Sequence, residues 1–288
     1  MSDVGAVRGR VIVITGGTSG IGKAAALQLA QAGARVIVVG RDAAKGDAAL
    51  AAVRAAQPDA DIAYWQCDLS LMANANALAA RMQRDLPALD GVIHCAGVML
   101  PKRVMTAEGL ETVFAVQFFA RFYLNQLLLP IMAAGGKIIN VSAGGGIPLR
   151  VNFDNLRADK FYNGVYTLMH ESVANDLASL KWMRLHPDRL LYSYGPFYVP
   201  TALFDGMPWW FKLMTATTGR FVATTPEHAA DDIVRLMAGD YPSGMYSRNL
   251  GVVRANRYRA DAQVQDRLWT VSERMIDQAL QASANTAL

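Results

Sequence analysis

The sequence predicts an α/β fold, a parallel, doubly wound sheet with helices on both faces. Three observations predict it. Short β-branched runs alternate with Ala/Leu-rich stretches of helix length along most of the 288 residues. That alternation is the pattern of βα units feeding a parallel sheet. The strand-like runs are largely continuous in apolar residues, as strands covered on both faces should be. A glycine-rich string lies between the first such run and the first helical stretch.

Each element follows from its residues. "RVIVIT" (10–15) reads as a buried strand, and 22–33 as a helix ended by Gly33. "RVIVVG" (35–40) is the second strand. Asp42 is the expected N-cap of a helix over 42–57, stopped before Pro58. Strands are expected at 61–68, 90–97 and 136–143, with helices over 70–85 and 107–133. A helix at 160–184, a strand at 189–195 and a helix at 226–238 continue the rhythm. A short strand region after 241 precedes a last helix around 261–280. The stretch 195–225 breaks the pattern and is rich in Pro, Phe, Trp and Met. No linker or repeat divides the chain, so one domain over 1–288 is expected.

Composition narrows the function classes. With 52% hydrophobic and 18% charged residues, the chain can bury a large core and is not a disordered protein. The net charge of +4 comes without a basic run, which argues against nucleic acid. Cys67 and Cys95 have no CxxC spacing and do not form a disulfide framework. They suit a reduced, cytoplasmic protein. The N-terminal residues lack the apolar core of a signal peptide, and no run reaches the roughly 18 apolar residues of a membrane span.

"TGGTSGIG" (15–22) carries the cofactor expectation. Gly16 permits a tight turn after a strand. Gly20 and Gly22 let backbone and helix N-terminus approach a pyrophosphate, with Thr18, Ser19 and Ile21 between them. The second strand ends at Gly40 and Arg41, where NAD sites carry an acid for the ribose hydroxyl. Arg41, with Lys45 one turn on, matches the 2′-phosphate of NADP(H) instead. Asp68 and Leu69 end the third strand, where an acid can meet the adenine. Cys95, Ala96 and Gly97 end the fourth with small residues against which a ribose can lie.

These motifs closely resemble the short-chain dehydrogenase/reductase family, and within it the retinol dehydrogenase-like branch. The likeness includes "GLETVFAV" (109–116), the "NLRADKFYNG" insert, and Leu268, Trp269, Ser272 and Glu273, and covers roughly 8–280. It implies a Rossmann-type domain that forms a homodimer or homotetramer. It also implies a tetrad: a Tyr that moves a proton, a Lys one turn later, a Ser that orients the substrate oxygen, and an Asn on the long helix. In family register the Asn position is Gln117. The strand-end Ser position is Ala143, after Ser142. The Tyr and Lys positions are Leu168 and Ser172, anchored by Ala174 and Asn175. The family's PGxVxT reads Pro196, Phe197, Tyr198, Val199, Pro200 and Thr201, so Pro196, Val199 and Thr201 remain as cofactor contacts. Gln117, Ser142, Ser172, Tyr194 and Tyr198 are the remaining polar candidates for chemistry.

Tyr166 and His170 have i, i+4 spacing and could be a displaced pair. Tyr166 lies two residues before Leu168, about 200° around a helix, so with Leu168 facing the cleft the pair faces away. Phe197, Tyr198, Phe204, Met207, Trp209, Trp210, Phe211 and Met214 offer apolar surface for a hydrophobic ligand, or a lid core or subunit contact. The leading expectation is a non-redox enzyme that cyclises, isomerises or dehydrates a hydrophobic molecule such as a polyketide or terpenoid. The alternatives are an NADPH-dependent oxidoreductase with an unusual proton donor, and a non-catalytic NADP-binding subunit or sensor.

Overall fold

A computed structural model describes residues 4–201, 203, 206 and 223–286. Of the apolar segment expected over the cleft, Phe204, Met207, Trp209, Trp210, Phe211 and Met214 lie outside the described residues.

The strands are β1 (Val11–Thr15), β2 (Arg35–Gly40), β3 (Ile62–Gln66), β4 (Leu89–His94), β5 (Met132–Val141), β6 (Leu190–Gly195), β7 (Gly244–Ser247) and β8 (Val252–Val253). They form an 8-stranded sheet in the order β3-β2-β1-β4-β5-β6-β7-β8. Every pairing is parallel except β7 with β8, so the sheet is mostly rather than wholly parallel. The order reverses between β1 and β4, which opens a crevice at their carboxyl ends.

Alternation along the strands divides the core into two layers. Ile12, Ile14, Val36 and Val38 face one side, with α1 (Gly20–Gln31), α2 (Ala43–Ala56) and α6 (Pro226–Ala238). Val11, Val13, Ile37 and Val39 face the other. There they meet α3 (Met72–Asp85), α4 (112–127), α5 (Gly164–Leu185) and α7 (Ala262–Thr286). Burying both faces is what makes β1 and β2 read as continuous apolar runs, whereas the edge strand β3 has an exposed end at Gln66.

The helix starts have local causes. Asp42 accepts from Lys45 N at 3.1 Å, as its N-cap position required. Asn163 caps α5 by accepting from Val165 N and Tyr166 N, both at 3.1 Å. The cap of α3 is not local. Glu108 accepts from Met72 N at 2.5 Å and Ala73 N at 3.0 Å, across 36 and 35 residues.

The largest departure from expectation is the 107–133 helix. It starts at Thr112 under a Glu111 cap and contains a π turn, Ala115–Phe119, before Ala120–Leu127. A 3-10 turn with a proline in its first positions, Leu129–Ile131, then ends it, and β5 begins at Met132. Pro130 cannot donate to a continuing helix, so the chain turns into the sheet four residues sooner than expected.

Candidate active site

The turn between β1 and α1 is built around missing side chains. Gly16 has φ +72°, and a Cβ there would lie 2.5 Å from Ala96 Cα. The turn therefore touches the end of β4. A Cβ on Gly22 would collide with the Gly16 carbonyl. Gly20 has φ +50°, and a Cβ there would stand 2.9 Å from Thr201 Cγ2. Thr18 sits over the end of β2, its Cγ2 2.7 Å from where Gly40 would carry a Cβ. Ser19, the N-cap of α1, makes no side-chain cap bond, and the first turn holds no acid. Half-buried Ile21 packs against the α1 layer. This is a positive helix end facing a tight, backbone-lined cradle.

Beyond it, Arg41, Gln66, Cys67, Asp68, Asn74, Ala77, Leu78 and Arg81 line an open groove of about 390 Å³. Arg81 was not expected from the sequence. Its guanidinium lies 4.0 Å from the Trp65 ring centroid. It also pairs with Asp85 at 3.4 Å. The groove holds two arginines, whereas the expected second cation, Lys45, is exposed and does not line it. Asp68 is fixed by Ser70 N at 2.9 Å and, through its carbonyl, by Asn74 at 3.1 Å. Leu69 points into the core, so its side chain cannot meet a ligand. Burial pushes the Cys67 thiol up to about 11 and the Cys95 thiol up to about 12.

At the other end of the crevice, half-buried Leu168 packs with Met99, Val165 and Leu203. Ser172, one turn on, holds its hydroxyl 2.8 Å from Leu168 O and 3.0 Å from Glu171 Oε1, and its one proton serves either acceptor. Gln117 sits within the π turn of α4, a distortion frequent at functional sites. Its Oε1 accepts from Val98 N at 2.5 Å, and its Nε2 donates to Glu171 Oε1 at 2.8 Å. Gly97 leaves room for that amide: a Cβ there would be 2.7 Å from Gln117 Oε1.

Ala143 lies at the end of β5, with its carbonyl against Gly195 at the end of β6. Ser142 N donates to Tyr194 O at 2.8 Å, while its buried Oγ has no protein partner among the described residues. Pro196 is buried beside them, and Val199 anchors the loop in the α1/α6 layer. Tyr198 is half-buried and accepts from Thr224 N through its carbonyl at 2.8 Å. Between Pro196 and Tyr198, Phe197 stands 71% exposed with φ +67°.

Tyr194 is not available for the chemistry its position suggested. Its hydroxyl donates to Asp232 at 2.8 Å on the α6 side of the sheet, and burial pushes its pKa upward. Tyr166 and His170 also turn from Leu168. Tyr166 packs on Phe161, with centroids 5.5 Å apart. His170 Nε2 accepts from Asn152 N at 2.7 Å, its ring centroid 5.1 Å from that of Phe114. Burial lowers the His170 pKa to about 4, so the ring is neutral at pH 7.

Sequence reasoning missed two buried charged groups. Glu171 is 3% exposed and accepts from Gln117, Ser172 and, at 2.6 Å, Asn175. Burial raises its pKa to about 7, against the pull of Arg121 and the three donors. Arg121 is 5% exposed and donates to Val141 O and Ala96 O, both at 2.7 Å, tying β5 to the end of β4. The available signal was an arginine inside "FAVQFFARFYLNQLLL", an otherwise apolar helix, and a glutamate beside the Lys position.

Comparison with known proteins agrees with this architecture. The short chain dehydrogenase family matches residues 10–176. Retinol dehydrogenase 12 of Bos taurus is 35% identical over 171 residues, 59% of this chain and 54% of that protein. The chain thus spans about half the length of that relative. A protein of Streptomyces sp. (strain C5), provisionally assigned as daunorubicin C-13 ketoreductase DnrU, is 31% identical over 275 residues, 93% of each chain. An uncharacterised protein from Mycobacterium Paratuberculosis superposes with a TM-score of 0.74 at 23% identity, covering 95% of this chain and 97% of that one. A provisionally assigned short chain dehydrogenase from Escherichia coli CFT073, complexed with NADPH, gives 0.65 at 22% identity, covering 83% and 94%. With a glycine cradle at the crevice, this sheet order, and a family match across most of the strands, the chain belongs to the short-chain dehydrogenase family.

Proposed function

We propose that this chain is an NADP(H)-binding family member that converts a hydrophobic small molecule without conventional alcohol–carbonyl redox chemistry. The cofactor reading rests on the cradle at Gly16, Gly20 and Gly22, which side chains would fill, and on the groove holding Arg41 and Arg81. The α1 N-terminus would hold the pyrophosphate and Arg41 the 2′-phosphate. Bound NADPH supplies a hydride donor. Arg41→Ala removes a charge-assisted contact worth about 1.5–3 kcal/mol, so NADP+ affinity should fall roughly 10- to 100-fold with NAD+ affinity little changed. Titration calorimetry with both nucleotides checks this, and equal affinities in the unmutated protein would contradict it.

The observation that carries the non-redox reading is Leu168. In family register this is the proton-donor position, and its side chain packs with Met99, Val165 and Leu203. Ala143 and Ser172 stand in register with the substrate-orienting serine and the lysine. Neither alanine nor leucine can give a proton, and serine carries no charge to lower a neighbour's pKa. Such a site favours cyclisation, isomerisation or dehydration of an apolar molecule of the polyketide or terpenoid kind, where holding one reactive conformer does much of the work.

The dehydrogenase and ketoreductase names of the relatives favour a second reading, NADPH-dependent reduction of an enone or ketone with an atypical proton donor. Incubation with NADPH and a panel of apolar enones, ketones and alcohols separates the two. Product without nucleotide consumption supports the first. Consumption in proportion to product overturns it in favour of the second. Binding without any turnover points to a non-catalytic NADP-binding subunit. We further propose a single domain in a cytoplasmic homodimer or homotetramer. Among the described residues, no helix is long and apolar enough to cross a membrane and no cluster could hold a metal.

A further inference from the structure

A proton-transfer site needs a group that gains and loses protons near working pH, and neither Leu168 nor Ala143 can. The buried network behind them contains one. Glu171 Oε1 lies 3.0 Å from Ser172 Oγ and 2.8 Å from Gln117 Nε2. Glu171 Oε2 accepts from Asn175 Nδ2 at 2.6 Å, and the same amide donates to Gln117 O at 2.9 Å. The carboxylate is thus held on three sides and meets the cleft through one hydroxyl. Ser172 is one turn from Leu168, so it shares the face that packs with Met99, Val165 and Leu203.

We infer that Glu171 and Ser172 form a proton relay, in which Ser172 Oγ meets an enolisable, apolar carbonyl compound and Glu171 stores the proton. The inference rests on the non-redox reading of the same site. In the forward step an α-C–H bond of the substrate breaks and its electron pair moves onto the carbonyl oxygen as an enolate. The proton joins Ser172 Oγ while the Ser172 hydroxyl proton joins Glu171 Oε1, so the carboxylate becomes a carboxylic acid. Reversal at the same carbon exchanges hydrogen, and reversal at a conjugated carbon moves a double bond. No oxidant or reductant enters. Ser172 Oγ lies 2.8 Å from Leu168 O and 3.0 Å from Glu171 Oε1, so turning the one hydroxyl proton between them opens the relay.

The surroundings suit a proton store. The charged group that acts on Glu171 is Arg121 of α4, which also binds Val141 O and Ala96 O. Gln117 of α4, and Ser172 and Asn175 of α5, are its neutral partners. His170, on the same helix, is turned to Phe114 and Asn152. Burial outweighs Arg121 and the donors, so the carboxyl titrates at about 7, near the optimum for an acid/base at neutral pH. Glu171 is therefore a positioning residue that acts through Ser172.

Two measurements test the relay. The first is infrared titration of the NADP+-loaded protein between pH 5 and 9. A buried carboxylic-acid carbonyl band should grow as pH falls through about 7, vanish in Glu171→Gln, and shift in Ser172→Ala. A titrating band that Ser172→Ala leaves unchanged would mark a carboxyl with no link to the hydroxyl and would overturn the relay. The second is deuterium uptake from D2O at the α-carbons of 2-decalone and β-ionone, followed by NMR with NADPH absorbance recorded in the same samples. The unmutated protein should accelerate exchange, and Ser172→Ala and Glu171→Gln should each slow it about a hundredfold. Ser172→Thr, which keeps the hydroxyl, should restore most of it. Should Glu171→Gln not fold, the band of the unmutated protein and its response to Ser172→Ala still decide. A band that does not titrate, or no exchange on either ketone, overturns the relay. NADPH loss alongside normal exchange overturns the non-redox reading and leaves the relay standing.

Discussion

Phe197 holds a backbone conformation that suits glycine. Its φ of +67° puts Cβ against the neighbouring carbonyl, a cost of about 1–2 kcal/mol, while its ring is 71% exposed and recovers little by packing. The family pattern places a glycine there. Phe197→Gly should raise stability by roughly 0.5–1 kcal/mol after the entropy of a freer unfolded chain is subtracted. Phe197→Ala keeps the Cβ and should not. Urea unfolding of the three proteins checks this; equal gains from both substitutions would contradict the strain argument.

Three buried groups contribute to the acid response of the fold. Burial lowers His94 to about 3 and His170 to about 4. Both are neutral in the fold where the unfolded chain would be charged. Their contribution is fully present above about 6.5 and is lost as pH falls toward those values. Glu171 acts oppositely. Raised to about 7, its contribution is present below about 4.5 and is lost as pH rises through 7. Between pH 7 and pH 5 each histidine should cost about 2 kcal/mol and Glu171 should return about 2. Urea midpoints at the two pH values should therefore fall further in Glu171→Gln than in the unmutated protein. Equal falls would remove Glu171 from this balance.

At the scale of elements, α5 decides how the site is read. Its N-terminus was legible because Asn163 precedes a helical run, and it caps as such a residue should. Its facing was legible because Leu168 and Tyr166 lie two residues apart, and the two side chains do pack on different neighbours. Tyr166→Phe should leave any turnover within about threefold, since acid/base catalysis that lost its group would drop by roughly a hundredfold or more. A loss of that size would place Tyr166 at the reacting atoms. The π turn at Gln117 was not legible, because composition does not reveal one extra residue inside a helical turn. Nor was the cap on α3, since Glu108 reaches it from a distant segment. The burial of Glu171 and Arg121 is hard to read from the sequence for a related reason. Charged residues ordinarily face solvent, so the apolar run around Arg121 and the glutamate beside the Lys position were the only hints that these two are buried.

For the whole molecule, the crevice at the reversal of strand order places the two ends of the site. One end is the glycine cradle with the Arg41–Arg81 groove, and the other is the wall at Leu168 with Glu171 behind it. The sheet was readable from periodicity, apart from the antiparallel β8, which is only two residues long. On the proposed reading, the second end does not support ordinary carbonyl reduction. That reading is tested most directly by NADPH oxidation with an apolar ketone, measured for the unmutated protein beside a variant carrying Gln117→Asn, Ala143→Ser, Leu168→Tyr and Ser172→Lys. Because such residues act as a unit, the fourfold variant should gain measurable reduction and single substitutions should gain little. The unmutated protein should show no NADPH oxidation above background. Reduction of simple ketones by the unmutated protein at ordinary dehydrogenase rates, roughly 1 per second or more, would contradict that reading.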